Sequence, residues 1–409
     1  MSTTSLWQAD TPAAPPPAQL PDAVDIAVVG GGVAGCAAAY WLRQHAPDLR
    51  VALVERGALA SGASGRNAGF LLQGTAADVV QAVEEYGEDI ARRIWAFTQE
   101  NQRLVEALPA GAIRREAVGS AIAAASPDDA NRLERGADLL ADLGTNARYL
   151  DAAAANRTLG TARFAGALLV DDDGALDPVR LVRYLASESG ATLVTHTPVE
   201  ALEADRRGTL VHTARGTIRA ERVVLALNAY APLLVPDLTL FVRPVRAQML
   251  ATAPVAPTLM RPVYSHEGYY YVRRHADGRL LVGGARHLHR DEEVGYEDAT
   301  TPALQADLEA YLAEHVPAVL PVQVERRWSG TMGFSPDGLP LVGALPGHPE
   351  SRWCGGFTGH GMGFAVRLAR LVVCEMMGED DAYADLFAWE RVAGPGSQVA
   401  GLDTVGPAT

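Results

Sequence analysis

Apolar positions along this chain fall into short unbroken runs bounded by glycine and longer runs at helical spacing. Residues 26–29 are too short a run for a helix and predict a buried parallel strand. The alanine-rich run that follows predicts a helix from about Val33 through Leu42, and residues 50–54 a second strand ending at Glu55. Residues 84–108 place Ile90, Ile94, Phe97, Leu104, Val105 and Leu108 mostly three and four apart, an amphipathic helix at the edge of a second domain, ended by Pro109 and Gly111. Residues 118–125 and 165–170 read as strands with a helix over 128–143 between them. Asp177-Pro178 supplies an N-cap and an N1 proline for a helix through Ser187. Short β-rich runs at 192–197, 199–204, 209–213 and 216–218 lead to a strand over 223–227. A hairpin follows at 268–274 and 279–284 around Asp277-Gly278. Alternation puts Tyr269, Tyr271 and Arg273 on one face and Tyr270, Val272 and Arg274 on the other, and leaves open which face matters. Thr301-Pro302 opens a helix through His315.

Gly30, Gly32 and Gly35 fill a GxGxxG spacing between the first strand and helix, so that Val33 and Ala34 begin the helix at a phosphate-binding turn. A chain with 40 glycines meets that spacing by chance. Strand, glycines, helix, strand and acid in order make it specific for a dinucleotide. Glu55, about twenty residues past the last glycine, is placed to take two ribose hydroxyls and to repel a 2′-phosphate.

The segment after Glu55 departs from the helix and third strand expected of a nicotinamide enzyme. It reads Arg56, then Ser61-Gly62-Ala63-Ser64-Gly65-Arg66-Asn67-Ala68, which can wrap a flavin's pyrophosphate and ribityl chain with amides, hydroxyls and a guanidinium. At the far end of the chain, residues 327–343 read as strand, turn and strand, including Gly330 and Gly333. Gly359-His360-Gly361-Met362-Gly363 then opens a helix through Met377. A glycine loop feeding a helix N-terminus suits the negative charge that develops on a reduced flavin.

These segments resemble the D-amino acid oxidase superfamily of FAD-dependent oxidoreductases, and within it the bacterial amine-oxidising branch of gamma-glutamylputrescine, glycine and sarcosine oxidases. The resemblance runs from Asp22 to about Arg391. It implies an α/β fold: a discontinuous, GR2-type Rossmann-like FAD-binding domain over 22–75, 175–240 and 325–392, and an α+β substrate-binding domain on a mixed or antiparallel sheet over 76–174 and 241–324. It also implies that backbone at Val199 lies on the adenine, that Asn228 and Ala229 close over the dinucleotide, and that Tyr269 and Tyr271 line the substrate cavity. Arg273, Arg286 and His287 are further cavity candidates, with no acid or base assigned.

The chain departs from these relatives where they hold a carboxylate-binding arginine, a position read here as Ser335, and where sarcosine oxidases carry a lysine, here Gly363. The covalent FAD-linking cysteine before the Pro-Asp turn is also missing, so FAD is expected to be noncovalent, and Arg273, Arg286 or Arg66 remain to hold a carboxylate.

Charge and composition narrow the picture further. The formal net charge of −14 argues against nucleic acid or anionic membrane as partner. All 35 basic residues are arginine, which removes Schiff-base and P-loop lysine chemistry. Cys36, Cys354 and Cys374 lack zinc-ligand or CxxC spacing and suit a reducing cytoplasm. Asp171-Asp172-Asp173-Gly174 lacks a calcium loop's alternate oxygens and closing glutamate and reads as a turn, so no metal is expected. Residues 1–21 read as a disordered leader and 393–409 as a tail, with no apolar run long enough to span a membrane.

The expected activity is oxidation of the C–N bond of a small amine or amino acid by hydride transfer to flavin N5, with hydrolysis of the imine and reoxidation by O2 to peroxide. A dehydrogenase passing electrons to a quinone or carrier is the nearest alternative, followed by a flavin monooxygenase or a non-catalytic FAD protein. Oligomeric state is not readable from the sequence.

Overall fold

The computed structural model describes residues 3–11 and 16–393. The expected tail beyond 393 lies outside the described residues. The chain divides into two compact units, each discontinuous in sequence.

One unit comprises the described parts of Thr11–Gly65, Val179–Val245 and Met332–Thr409. Its sheet runs in the order Leu341–Leu345, His348–Gly355, Gly216–Leu225, Ala23–Val29, Val51–Val54, Thr192–Val194. Ala23–Val29 pairs in parallel with Gly216–Leu225 on one side and Val51–Val54 on the other. Parallel strands are covered on both faces, which is why Ile26–Val29 and Val51–Val54 are buried without alternation. Gly216–Leu225 is one strand where the pattern predicted two. Its first half alternates because it pairs antiparallel with Gly208–Thr213 in a half-exposed meander, and its last residues join the buried parallel core. The Val33–His45 helix packs against the Gly361–Met377 helix, and Trp41 Nε1 donates to the Val366 carbonyl at 2.9 Å.

The other unit comprises the described parts of Met1–Asp10, Arg66–Pro178 and Arg246–Thr331. Its sheet has the order Val324–Phe334, Arg243–Thr252, Leu280–Gly284, Tyr270–Arg274, Val263–Ser265, Ser120–Ala124, Gly166–Val170, Ala147–Asp151. The Val263–Ser265 and Ser120–Ala124 pair is parallel, whereas the hairpin strands and Ser120–Ala124 with Gly166–Val170 are antiparallel, so the sheet is mixed as expected. One face carries Val263, Tyr270, Val272, Leu280 and Val282 into a core with Leu304, Leu308 and Tyr311 of the Pro302–His315 helix.

Several expectations need correction. The leader is not disordered throughout: Leu6–Ala9 is a helical turn closed by a Ser5/Gln8 capping box, with Leu6 and Trp7 0% and 2% exposed. Trp7 Nε1 donates to the Asn67 carbonyl at 2.7 Å. The helix predicted from residue 84 begins earlier and is broken in two, Val79–Tyr86 and Glu88–Glu106, because Gly87 sits at φ 81°. The strand Ala147–Asp151 and helix Ala152–Leu159 were not predicted. Residues 66–75, 175–178 and 325–331 group with the second unit instead of the first, and 241–245 with the first. The reason for 66–75 is local: Phe70–Leu71 pairs with Gly174–Ala175, and the carbonyls of Ala68 and Gly69 accept from Arg273.

Candidate functional site

In the unit built on Ala23–Val29, the glycine turn has the geometry that close packing demands. Gly30 has φ 117°, and a Cβ on Gly35 would lie 1.9 Å from the Gly30 carbonyl oxygen. The Val33–His45 helix has Gly32 as its N-cap, which offers no side chain to cap it, and Ser64 Oγ accepts from the Val33 amide at 2.9 Å, so a phosphate would meet the remaining amides of the first turn. Glu55, buried at the end of its strand, accepts from the Gly31 amide at 2.7 Å, the Gly57 amide at 2.8 Å and the Ser61 hydroxyl at 3.1 Å. Gly62 leads into a short 3₁₀ turn over Ala63–Gly65 that contains Ser64, and the Arg56 guanidinium lies 4.3 Å from the Tyr230 ring centre. The chain at 196–197 donates amides to the Gly57 and Glu55 carbonyls, and Val199 opens the strand that follows, Val199–Asp205.

The C-terminal glycine loop is fixed in the same unit. Asn228 has φ 45°, and its Oδ1 accepts from the Gly356 amide at 3.0 Å. A Cβ on Gly333 would lie 2.4 Å from that Oδ1 and 2.9 Å from the Ala229 amide nitrogen, so Gly333 is required for Asn228 and Ala229 to sit there. Thr358, a β-branched residue at φ 46°, donates its amide to the Gly333 carbonyl at 2.8 Å. Strain of this kind concentrates at ligand sites. The 17-residue Gly361–Met377 helix then starts at His360, again with no side-chain cap, so Gly359, Gly361, Met362 and Gly363 surround a second helix start. Two glycine-fed helix starts and an acidic strand end are the donor set that FAD requires: amides for phosphate and for flavin charge, and a carboxylate for ribose hydroxyls. The residues fit the cofactor.

The remaining cofactor candidates, Arg66, Asn67, Ala68 and Gly330, belong to the other unit. Arg66 Nη1 donates to the Ser329 carbonyl at 2.8 Å and to Asp298 at 3.0 Å, and its stem passes over Gly330, where a Cβ would lie 3.1 Å from Arg66 Cβ. Asn67 Oδ1 accepts from the Gly69 amide at 2.7 Å.

The five cavity candidates separate into three places. Tyr271 lies on the sheet face opposite the helix-covered core, in an aromatic group with Tyr264 (6.0 Å) and Phe70 (6.3 Å). Burial pushes the Tyr271 phenol up to about 12 and raises Tyr264 as well, so both are neutral. Tyr269 lies outside the strand, its ring 4.7 Å from His287 and 5.8 Å from the Arg286 guanidinium, and its hydroxyl accepts from Arg290 at 2.9 Å. Burial, then Arg290 and Arg286, hold His287 below the usual imidazole range. Arg273 is 1% exposed and committed, Nη1 to the carbonyls of Ala68, Gly69 and Leu176 at 3.0–3.2 Å and Nη2 to Glu116 at 3.1 Å. It anchors the segment after Arg66, which makes it a positioning residue.

Two features escaped the sequence reading. Tyr264 carried no hairpin or motif signal. Asp173 belongs to a turn, as expected, yet it is buried and lines a cavity of about 50 Å³ with Tyr264, Leu72, Ile122 and Ser120. Separately, His45, Cys374 and Glu379, at the ends of the two packed helices, bring ligand-type atoms within 4.8 Å of one another, with only the cysteine buried.

Comparison with known proteins accords with this geometry. The chain is 29% identical over 351 residues to a glycine oxidase of Geobacillus kaustophilus, covering 82% of this chain and 87% of that one. It is 26% identical over 385 residues to the gamma-glutamylputrescine oxidoreductase of Escherichia coli, covering 89% and 86%. Among solved structures, the Geobacillus kaustophilus glycine oxidase superposes with TM-score 0.78 at 24% identity, over 90% of this chain and 99% of that one. An L-proline dehydrogenase from P. horikoshii also gives 0.78, at 20% identity, over 91% and 99%; both likenesses speak to the fold. The family model DAO, FAD dependent oxidoreductase, matches residues 25–374. This chain, an FAD-dependent enzyme, belongs to the DAO family of FAD-dependent oxidoreductases.

Proposed function

We propose that the enzyme oxidises the C–N bond of a small amine or amino acid. The observation that supports the chemistry is the pair of glycine-fed helix starts at Gly32 and His360 with Glu55. The substrate class is supported by the relatives named glycine oxidase and gamma-glutamylputrescine oxidoreductase. Bound FAD supplies a two-electron acceptor, at its N5, for the hydride leaving the carbon beside nitrogen. The chain's own part is placement. Asn228 and Thr358 hold the second glycine loop in a strained form. Hydride loss needs the amine neutral and needs no strong base, and no side chain is assigned as one. The imine product hydrolyses in water.

O2 is the acceptor in this reading, giving peroxide. Delivery to a quinone or protein carrier is a second reading, favoured by the absence of any lysine to assist reaction with oxygen. The test is anaerobic titration of the yellow holoenzyme with primary amines, secondary amines and amino acids, followed by admission of air. Bleaching by one class with fast recolouring and peroxide is expected. Slow recolouring would move the enzyme to the dehydrogenases, and a flavin bleached only by NADPH would overturn the amine reading.

A further inference from the structure

The Val33–His45 and Gly361–Met377 helices start at the two glycine loops and pack against each other, and their C-terminal ends meet as well. Three side chains at that end have no part in the chemistry proposed above. His45 is the last residue of one helix, and Cys374 lies in the last turn of the other. Gly378 ends the second helix at φ 76°, and the Glu379 amide donates back to the Cys374 carbonyl at 2.9 Å, a reversal that returns the Glu379 carboxylate to the neighbourhood of the thiol. His45 and Cys374 are 329 residues apart in sequence, so no spacing motif shows the set.

One imidazole nitrogen faces both partners. His45 Nε2 lies 3.9 Å from Cys374 Sγ and 3.6 Å from Glu379 Oε2, and the ligand atoms of the three residues lie within 4.8 Å of one another. At 3.6 Å the imidazole and carboxylate are too far apart for a hydrogen bond, the usual reason for such groups to face each other. Ligands on a tetrahedral zinc, held at about 2.0–2.3 Å from the ion, lie about 3.5 Å apart for sulfur and nitrogen and about 3.3 Å for nitrogen and oxygen. Each of the two edges therefore needs to shorten by only about 0.3–0.4 Å to hold the ion. Two helix C-termini add negative dipole ends that favour a cation. Of the other charged neighbours, Asp381 is paired with Arg367 at 2.8 Å and Arg370 lies over the Trp41 ring. Thiolate, imidazole and carboxylate together suit zinc, and the exposed side of His45 and Glu379 admits water as a fourth ligand. We propose that His45, Cys374 and Glu379 bind one zinc ion, which displaces the thiol proton and staples the ends of the two helices. The first helix, 13 residues long, keeps the ion about 20 Å from the glycine turn, so it braces the frame of the FAD site and takes no part in the redox step.

The test is calorimetric titration of chelator-treated holoenzyme with zinc chloride, alongside thermal scanning. One zinc per chain is expected, with a melting temperature about 5 °C higher when free zinc is 100 times its Kd. Cadmium chloride in place of zinc is expected to give an ultraviolet thiolate-to-metal charge-transfer band, which reports a cysteine ligand directly. Cys374→Ser is expected to abolish that band. His45→Gln and Glu379→Gln are each expected to weaken zinc binding by about 100-fold or more, since losing even an outer partner of a ligand costs about 10- to 100-fold. Both residues are exposed, so these two variants keep the proposal testable if the buried Cys374→Ser variant misfolds, with the flavin spectrum as the check on folding. Wild type that binds no zinc, cadmium that gives no band, or zinc affinity undiminished in the His45 and Glu379 variants, the mark of an adventitious ion only, would overturn the proposal. Zinc that binds without raising the melting temperature would overturn the staple.

Discussion

Single residues here carry charge problems that the fold solves in different ways. Glu55 ends a buried strand and spends its oxygens on the amides of Gly31 and Gly57 and the hydroxyl of Ser61, a set that FAD ribose hydroxyls can join. Glu55→Gln puts an amide donor against donors, so FAD affinity is expected to fall about 10- to 100-fold, measured by fluorescence quenching as apoenzyme is reconstituted. Asp173 solves its problem by holding a proton. Burial pushes its carboxyl up to about 7, against the hydrogen bonds from Ser120 and Gln73, with Asp172 adding repulsion; Tyr264, Asp78, Asp129, Arg132 and Glu267 also face the cavity. The folded state therefore binds more protons than the unfolded one between about pH 4 and pH 7, and stability falls as pH rises through that window. The loss is on the order of 4 kcal/mol at most. Asp173→Asn keeps both hydrogen bonds and cannot ionise, so its melting temperature is expected to exceed the wild type's at about pH 8 and to match it below about pH 4.

At the scale of elements, the N-terminal turn Leu6–Ala9 shows how a short segment becomes structure. Four residues cannot sustain a helix alone, and the Ser5/Gln8 capping box only satisfies the first amides. Trp7 supplies the rest: its ring meets His275 edge-on at 5.2 Å, lies 5.6 Å from the Arg273 guanidinium and donates to Asn67. Trp7→Ala is expected to cost about 3–5 kcal/mol, read as a shift in the first transition of chemical unfolding. The capping signal, Ser-Leu-Trp-Gln, stands in the sequence. The proline- and alanine-rich stretch after it masked it, because composition cannot reveal a docking surface assembled from distant residues. The helix break at Gly87 was similarly ambiguous, since glycine in a helical pattern costs only about 1 kcal/mol and a positive φ is decided by packing.

For the whole molecule, the cofactor belongs in the stability account. FAD bound by the folded chain alone stabilises it by about 2.7 kcal/mol when free FAD is 100 times its Kd. Stripping FAD is expected to lower the melting temperature by about 5 °C or more, and adding it back to restore the loss, measured by thermal scanning of apo- and holoenzyme.

The sequence by itself determined the cofactor and the strand-glycine-helix frame around it. Those features are local: Gly30 to Glu55 is one continuous stretch whose spacing alone places amides and a carboxylate, and the loop before Met362 is another. It also determined the mixed hairpin sheet, since alternation is written residue by residue. Only tertiary structure decided which hairpin face is core, because Tyr270 and Tyr271 alternate identically until the Pro302–His315 helix covers one of them. It likewise separated Arg273 from the cavity candidates and turned Asp173 inward, since both outcomes depend on partners such as Gly69, Leu176, Ser120 and Gln73 that the chain brings together only on folding.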